Sequence, residues 1–282
     1  MSIHFPSPVL GEGTKSDSSD ILEIMELIDT HCHLDFPEFD RDRSAILGRC
    51  RAVGINTIVV PGVTQQRWPS LLEMCSSTPG LFPAFGLHPM FLQYHKAEHL
   101  QQLEEQINLY HPVAVGEIGL DYMLKDSDKV QQQAYFTAQL AIAKNAGLPV
   151  LLHVRKAHDE VLMVLKKAGV QSGIAHAFNG SIQQAKKYIE LGFKLGFGGT
   201  LTYPGSKKIH TLAKELPLES IVLETDAPDM VVETHRGERN SPEYLTSILA
   251  SLAEVRTISV VDVARQTTQN ARSIFRFDDT SL

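Results

Sequence analysis

The sequence predicts a single-domain (β/α)8 TIM-type barrel, in which eight parallel strands alternate with helices. Three observations lead to this prediction. Eight short apolar runs rich in Val, Ile and Phe alternate with longer amphipathic stretches. Gly, Pro or polar residues bound these runs, and histidines or carboxylates stand at the carboxyl ends of several of them. Strands that alternate with helices form parallel sheets through right-handed crossovers, and eight is the number that closes a barrel.

The predicted strands are apolar segments of the kind that form a buried parallel sheet. In chain order they span residues 26–34, 57–63, 82–88, 113–120, 149–154, 173–178, 193–198 and 220–226. An open, doubly wound sheet is the alternative. It is disfavoured because the first strand is followed by His-Cys-His rather than by a Gly-rich dinucleotide loop.

The predicted helices lie between these strands, and their ends carry recognisable signals. They span residues 40–53, 66–77, 96–110, 128–146, 157–168, 181–191 and 206–215, with two more at 241–255 and 259–275. A glycine after the last turn, such as Gly147 or Gly169, is typical of a helix C-terminus. Ser181 is expected to cap the helix that follows it. Asn240 or Ser241 is expected to cap the helix that Pro242 opens.

Length and composition place the chain among ordinary globular proteins. Its 282 residues, 43% hydrophobic and 21% charged, suffice for one barrel. We expect a flexible N-terminal tail over residues 1–22, because this segment is rich in Ser, Gly, Pro and Asp and lacks periodicity. The barrel is expected over 23–277 and a short C-terminal tail over 278–282.

Net charge and cysteine content indicate which binding partners and which cellular compartment are expected. No apolar run is long enough to span a bilayer, and the first residues lack a secretory signal. Three cysteines make no disulfide framework and fit a reducing compartment, so a cytoplasmic location without membrane association is expected. A net charge of −7 argues against tight, non-specific duplex binding. The expected partner is a DNA end or a small anionic substrate, and no obligate protein partner is evident.

His31 and His33 stand on the first predicted strand, where positions i and i+2 point to the same side. Such a pair presents two imidazoles to one metal ion. Cys32 is expected to point the other way and to pack against the helix layer.

The same pattern of a strand followed by a possible ligand recurs downstream. Active-site residues of a barrel lie at the carboxyl ends of its strands, so these side chains should converge on one mouth. The expected metal ligands are His31, His33, Glu117, His153, His176 and Asp226. Taken alone, a histidine or a carboxylate at the end of a strand is more often a hydrogen-bonded core group than a metal ligand. Burying six titratable groups at one rim without a cation would, however, be costly.

This number of ligands exceeds the three protein ligands of a simple catalytic zinc site and therefore suggests two divalent ions. Glu117, on a middle strand, is the best candidate for a bridging ligand. Mixed nitrogen and oxygen ligands suit Zn or Mn by affinity, whereas Mg prefers oxygen. Among the other histidines, His88 and His158 lie near the predicted mouth, and the sequence does not decide whether they face the site. Six are expected at the surface: His4, His95, His99, His111, His210 and His235.

Seven short motifs carry a family resemblance. They read IDTHCHL at 28–34, GLHP at 86–89, GEIGLDY at 116–122, LHVR at 152–155, HAFNG at 176–180, ETDAP at 224–228 and NAR at 270–272. In these motifs the chain resembles the TatD-type metal-dependent hydrolases, a branch of the amidohydrolase-like barrels, from about Leu27 to Phe275. The resemblance implies a TIM-type barrel with a mono- or binuclear centre, held by the six ligands named above. It also implies a deoxyribonuclease, often magnesium-dependent, that acts on strand ends.

Two segments depart from the family pattern. Family members commonly have His-Cys-Phe-Ser-Gly where this chain has HAFNG at 176–180. The last Asp is often followed by an aromatic or aliphatic residue, whereas here Ala227, Pro228, Asp229 and Met230 follow Asp226. The second pattern resembles a TatD sub-branch described only as metal-dependent hydrolases. The metal chemistry stands in either branch.

The expected mechanism is hydrolysis by a water that two divalent ions activate for in-line attack on phosphorus. Asp226 is expected to ligate one ion and to take the proton of that water as general base, with Glu117 as the other catalytic carboxylate. Arg155 is expected to hold a phosphate oxygen, or else to form a structural ion pair. His88 is expected either to contact the leaving group or substrate phosphate, or to be structural.

Tyr122 is expected to stack on a base, while Phe178 is more readily explained by core packing. The favoured function is cleavage of DNA phosphodiester bonds by a 3′–5′ exonuclease-type deoxyribonuclease. The alternative is hydrolysis of a small carboxylic ester or amide by the same centre. A metal-stabilised scaffold is disfavoured, because structural zinc sites are closed, four-coordinate and often thiolate-based.

Overall fold

The computed structural model describes residues 25–125 and 127–277. These residues form one α/β unit, which agrees with the single barrel that the sequence predicts. The two predicted tails, 1–22 and 278–282, lie outside the described residues.

Eight parallel strands form one sheet in which each strand pairs with its neighbour in the chain. The strands are β1 Leu27–Asp29, β2 Ile55–Pro61, β3 Leu81–Phe85, β4 Ala114–Asp121, β5 Val150–Arg155, β6 Gly173–Ala175, β7 Phe193–Phe197 and β8 Ile221–Leu223. The ring nearly closes just beyond the ends of β1 and β8. There Thr30 N donates to Leu223 O over 3.1 Å, and Asp226 N donates to His31 O over 2.8 Å.

Helices follow the strands as predicted, one or more after each. They are α1 Arg43–Ala52, α2 Trp68–Ser77, α3 Glu98–Tyr110, α4 Lys129–Ala146, α5 His158–Ala168, α6 Ile182–Glu190, α7 Lys207–Glu215, α8 Leu245–Arg256 and α9 Val260–Phe275. Ser181 caps α6 as predicted: Gln184 N donates to Ser181 Oγ over 3.1 Å, and Ser181 N donates to Gln184 Oε1 over 2.9 Å. This reciprocal pair satisfies two backbone donors that a helix start leaves open.

The capping prediction at the start of α8 is wrong. A short 3-10 turn, Pro242–Tyr244, precedes α8, and neither neighbouring side chain caps it. Asn240 is instead fully buried and donates to Thr225 O over 2.8 Å and to Asp229 O over 2.7 Å. Its amide is therefore used to hold the loop after β8.

The barrel interior is filled at its amino-terminal end. A buried apolar cluster takes one side chain from each of seven strands: Ile28, Val59, Ala84, Ala114, Leu151, Ile174 and Val222. Ile274 and Phe275 at the end of α9, with Phe277 just beyond it, close this cluster. Because this end is packed, the carboxyl ends of the strands form the mouth.

Three predicted strands end earlier in the structure. β1 ends at Asp29, β6 at Ala175 and β8 at Leu223, so the polar residues that follow lie on loops. The strand-alternation argument for His31 and His33 is therefore wrong. Past Asp29 the backbone alternates between two neighbours: Cys32 N donates to Val59 O of β2, whereas His33 N donates to Ala227 O in the loop after β8.

The surface prediction is wrong for two histidines. His95 is buried, because its Nε2 hydrogen-bonds His88 O at 2.8 Å and its ring packs against Tyr135. His99 is buried at the start of α3. His111 is exposed as predicted, and His210 is partly exposed.

The remaining two histidines predicted at the surface are His4 and His235. His4 lies outside the described residues, and His235 is partly exposed.

In the parts of the chain that the structure describes, no helix combines the length and the apolar character that crossing a membrane requires.

Candidate metal centre

Loops and strand ends at the barrel mouth bring the six predicted ligands together, with His88 beside them. The loop after β1 carries two of the imidazoles, β4 and β5 carry Glu117 and His153, and the loops after β3, β6 and β8 carry His88, His176 and Asp226. His153 and Asp226 are partly buried and the others are buried. Residues distant in the sequence therefore share one small volume, as the barrel topology predicts.

A first donor group consists of His31 Nε2, His33 Nε2, Glu117 Oε2 and Asp226 Oδ1. The two imidazole nitrogens lie 3.1 and 3.4 Å from the glutamate oxygen, and 3.7 and 3.6 Å from the aspartate oxygen. Ligands about 2.0–2.2 Å from a tetrahedral ion are separated by about 1.6 times that length, or about 3.3–3.6 Å. The four nitrogen–oxygen separations are close to this edge length, and His31, His33 and Asp226 lie near enough to one another to hold one cation.

A second donor group uses the other oxygen of Glu117. His88 Nε2 lies 3.1 Å from Glu117 Oε1, and His153 Nδ1 lies 3.0 Å from the same atom. Among the described residues, three such groups could hold an ion, and one of them combines Glu117 with His31 and His176. Glu117 therefore belongs to more than one possible ion site.

His176 completes the cluster from the loop after β6. Its ring stacks on His31 with centroids 3.7 Å apart, and its Nε2 lies 3.5 Å from Asp226 Oδ2. Its Nδ1 lies 3.0 Å from Glu224 Oε1, and the backbone amide of Ala177 donates to the same oxygen over 2.6 Å. Glu224 thus orients His176, the kind of carboxylate contact that fixes a ligating imidazole.

Titration behaviour at the mouth follows from burial and from the carboxylates. Burial lowers the pKa of His88 to about 4. Burial also opposes protonation of His153, but its hydrogen bonds with Asp121 and Glu117 raise its pKa to about 9. For His176, burial is likewise outweighed by the carboxylates near it, which raise its pKa to about 10. These buried carboxylates require a compensating positive charge.

The donor set fits a divalent metal ion. Buried imidazoles and carboxylates at one strand-end rim are nitrogen and oxygen ligands of intermediate hardness. The Nε2 atoms of His31 and His33 face the carboxylates, while their Nδ1 atoms are buried and have no hydrogen-bond partner among the described residues. Cys32 is buried in the main apolar core with its Sγ 3.8 Å from Ala227 O, in agreement with a packing role.

A buried carboxylate to which the sequence analysis assigned no role links the two loops of the first donor group. Asp29 Oδ1 accepts from His31 N over 3.2 Å and from Thr225 N over 3.0 Å. Asp29 Oδ2 accepts from Thr225 Oγ1 over 2.5 Å. Burial raises the pKa of Asp29 to about 7, against the lowering effect of these hydrogen bonds. One side chain thereby fixes the loop after β1 against the loop after β8.

Sequence reasoning missed Asp121, Asp29 and Glu224 as site residues, although each lies in one of the seven motifs. Asp121 Oδ2 lies 3.1 Å from His153 Nε2. The signal that could have found them is a carboxylate within four residues of an expected ligand in the same motif. Asp29 precedes His31 by two residues, Asp121 follows Glu117 by four, and Glu224 precedes Asp226 by two.

The predicted substrate contacts lie at the rim. The Arg155 side chain is 53% exposed, with Nη1 4.0 Å from Asp121 Oδ2, so it is partly engaged and partly free to face solvent. The Tyr122 ring lies beneath Lys129 Nζ at 4.5 Å, which covers one of its faces. Phe178 is buried among other rings, as the packing interpretation predicts.

Comparisons with known proteins agree with this architecture. A family model described as TatD related DNase matches residues 28–276. YjjV of Escherichia coli K12, named as an uncharacterized metal-dependent hydrolase, is 39% identical over 255 residues, covering 89% of this chain and 98% of YjjV. YabD of Bacillus subtilis 168, named in the same way, is 34% identical over 254 residues, covering 89% of this chain and 100% of YabD.

The crystal structure of YjjV matches the fold with a TM-score of 0.87 at 38% identity, covering 92% of this chain and 100% of that chain. The chain belongs to the TatD-related family and is a metal-dependent hydrolase built on a single barrel. The family resemblance and the fold class predicted from the sequence are both confirmed.

Proposed function

We propose that the protein is a phosphodiesterase that removes nucleotides from DNA ends in the 3′–5′ direction, with two divalent ions at the mouth. The observation that carries this proposal is that the two oxygens of Glu117 face different donor groups. Oε2 faces His31 and His33, and Oε1 faces His88 and His153. Glu117 could therefore contribute to two cation sites, and two cations would suit in-line displacement at phosphorus, where attacking and leaving oxygens both need stabilisation.

The ligands proposed for the ions are His31, His33, Glu117, His153, His176 and Asp226. His88 is a substrate contact in the sequence prediction, and its place in the second donor group adds it to the residues that could hold an ion. The nitrogen-rich set favours Zn or Mn over Mg. When bound, such ions supply Lewis-acid polarisation of a phosphoryl oxygen and a water of lowered pKa.

Asp226 is the proposed general base. Its side chain is 14% exposed, whereas that of Glu117 is 2% exposed. Water entering the mouth therefore reaches the Asp226 carboxylate more readily, and Asp226 can accept a proton as the nucleophile forms. Arg155, exposed at the rim, holds a non-bridging phosphate oxygen by charge-assisted hydrogen bonds.

An apolar pocket of about 560 Å³ beside the first donor group favours a substrate that carries a planar ring. Its wall includes Phe36, Phe91 and Tyr94. Phe36 stacks on His33 with centroids 4.8 Å apart, and Phe91 lies edge-on to His88 at 5.8 Å. His33 and the Arg67 guanidinium already lie against the Phe36 ring. Phe91 and Tyr94 are therefore the rings on which a nucleoside attached to the reacting phosphate can stack, and base stacking tolerates any sequence.

The family description as DNase and this pocket favour DNA over a small carboxylic ester. The cytoplasmic location and the independence from an obligate protein partner stay predictions from the sequence. Tyr122 stays a predicted substrate contact, through the ring face that Lys129 does not cover.

The deciding experiment supplies metal-stripped protein with Mg²⁺, Mn²⁺ or Zn²⁺ and offers it 5′-labelled single-stranded DNA. A panel of small phosphate and carboxylic esters is tested in parallel. We expect a ladder of 5′-labelled products in Mn²⁺ or Zn²⁺, abolished by Asp226→Asn. Asp229→Asn is the matched control, because it makes the same chemical change on an exposed residue of the same loop. Turnover of a carboxylic ester with intact DNA would contradict the proposal and favour the small-substrate alternative.

A further inference from the structure

A groove of about 670 Å³ lies beside the mouth, a volume within the roughly 300–1,000 Å³ of ligand sites. Four chain segments line it: the loop after β4, the turn from β5 into α5, the loop after β6 with the start of α6, and the start of α7. The groove is separate from the apolar pocket, since no residue lines both.

The groove is basic although the chain as a whole is acidic. Four cationic side chains line it, namely Arg155, Lys156, Lys207 and Lys208, against two carboxylates, Asp159 and Glu160. The whole chain, by contrast, has 26 basic and 33 acidic side chains. Gln184 Nε2 donates to Asp159 Oδ1 over 3.0 Å, which orients that carboxylate without cancelling its charge, so cations still outnumber carboxylates four to two. The groove therefore attracts anions more strongly than the rest of the surface does.

The groove continues into the metal centre through Arg155. This residue lines the groove and lies 4.0 Å from Asp121, which in turn contacts His153 of the second donor group. Asn179, on the loop that carries His176, lines the groove as well. A chain of linked phosphates that begins with the reacting phosphate can thus continue from the metal centre into the groove.

The backbone at the start of the groove is held in an unusual conformation. Lys156 has a φ of 56°, in the left-handed region that non-glycine residues rarely adopt. Such conformations cluster at functional sites. Lys208 Nζ donates to Asn179 O, which joins the start of α7 to the loop after β6. The cations are therefore presented by linked segments rather than by independent surface loops.

We propose that this groove binds the backbone phosphates that lie next to the scissile one in a single-stranded nucleic acid. The inference rests on the proposed function and specifies its substrate as an oligonucleotide end rather than a mononucleotide. Cations from separate segments suit several phosphates in sequence, and a positive groove near an aromatic pocket is the usual arrangement for a single strand. The small net positive charge matches a few phosphates, not a long duplex.

The test measures binding of fluorescein-labelled dT12 to Asp226→Asn protein by fluorescence anisotropy at several salt concentrations. In this background, Lys207→Gln with Lys208→Gln removes two groove cations. The matched control is Lys166→Gln with Lys167→Gln, an exposed pair in the last turn of α5 that does not line the groove. Single-stranded binding contributes a salt slope of about −0.7 per phosphate, so we expect a slope shallower by about 1.4 and roughly 10- to 25-fold weaker binding near 0.1 M salt.

The outcomes separate this proposal from the proposed function. Equal binding by the groove and control variants, or no binding of dT12 at all, would overturn the groove proposal even if DNA is cleaved. Lysine-dependent binding without DNA cleavage would support the groove and reject the nuclease. Displacement of dT12 by tripolyphosphate at equal phosphate concentration would overturn the assignment to a nucleic-acid strand. Should the double variant unfold, Lys207→Gln alone, which leaves the Lys208 hydrogen bond intact, replaces it in the same comparison.

Discussion

Replacing Asp29 by Ala tests whether one buried carboxylate holds the two loops of the first donor group. Three donors lose their acceptor: His31 N, Thr225 N and Thr225 Oγ1. The two backbone amides are buried and cannot turn to water, and each unsatisfied group costs about 1–3 kcal/mol. After partial relaxation we expect a loss of about 2–5 kcal/mol in the free energy of unfolding.

The loss should be visible in thermal denaturation followed by circular dichroism in the presence of EDTA. A domain of this size changes its Tm by about 2–4 °C per kcal/mol, so Tm should fall by about 4–20 °C. Isothermal titration with Mn²⁺ should show about 10- to 100-fold weaker binding, because groups that orient metal ligands typically contribute that much.

Asp29→Asn is the matched control. Both backbone amides donate to Asp29 Oδ1, so an amide oxygen in that place keeps both hydrogen bonds. The amide nitrogen then faces Thr225 Oγ1, which can accept a hydrogen bond. We expect Asp29→Asn to lie within about 1 kcal/mol of the parent protein. A Tm for Asp29→Ala unchanged within about 2 °C, or equal losses in both variants, would refute the reasoning.

Three further predictions concern the centre, a helix start and the groove. Glu117→Gln should retain no more than half of the metal that the parent protein retains after dialysis, because both donor groups use this carboxylate. Elemental analysis measures the metal content, and full retention would contradict a bridging role. Ser181→Ala should lower the free energy of unfolding by about 1 kcal/mol in urea denaturation, since it removes the acceptor of the capping box, and an unchanged midpoint would argue against that box. Burial lowers the pKa of His158 below its ordinary value of 6.5. Near that pH the unfolded chain therefore binds more protons at this residue than the folded chain does. The free energy of unfolding should fall as the pH is lowered from 6.5 through the folded-state pKa. An NMR titration of its ring should show a midpoint under 6.5, and a midpoint above that value would reject the burial argument.

Agreement between sequence and structure is closest where a local pattern repeats. Eight apolar runs separated by amphipathic stretches specify parallel strands with helices between them, and all eight strands lie where the runs predict them. The capping box at Ser181 is likewise local, since it involves only residues three apart. Strand ends are less local, because a strand ends where its neighbour stops offering hydrogen bonds. β1 ends at Asp29 rather than at the predicted residue 34, since beyond Asp29 the chain shares its backbone hydrogen bonds between β2 and the loop after β8.

By itself, the sequence determined which residues line the mouth, because barrel topology brings the carboxyl ends of parallel strands to one rim whatever their exact length. Only the tertiary structure decided which oxygen of Glu117 faces which imidazoles, and that Asp29 spans the loops after β1 and β8. It also decided that His95 is buried, and that Lys156, Lys207 and Lys208 share one groove. These features depend on contacts between segments far apart in the chain, and such distances carry no periodic signal along the sequence.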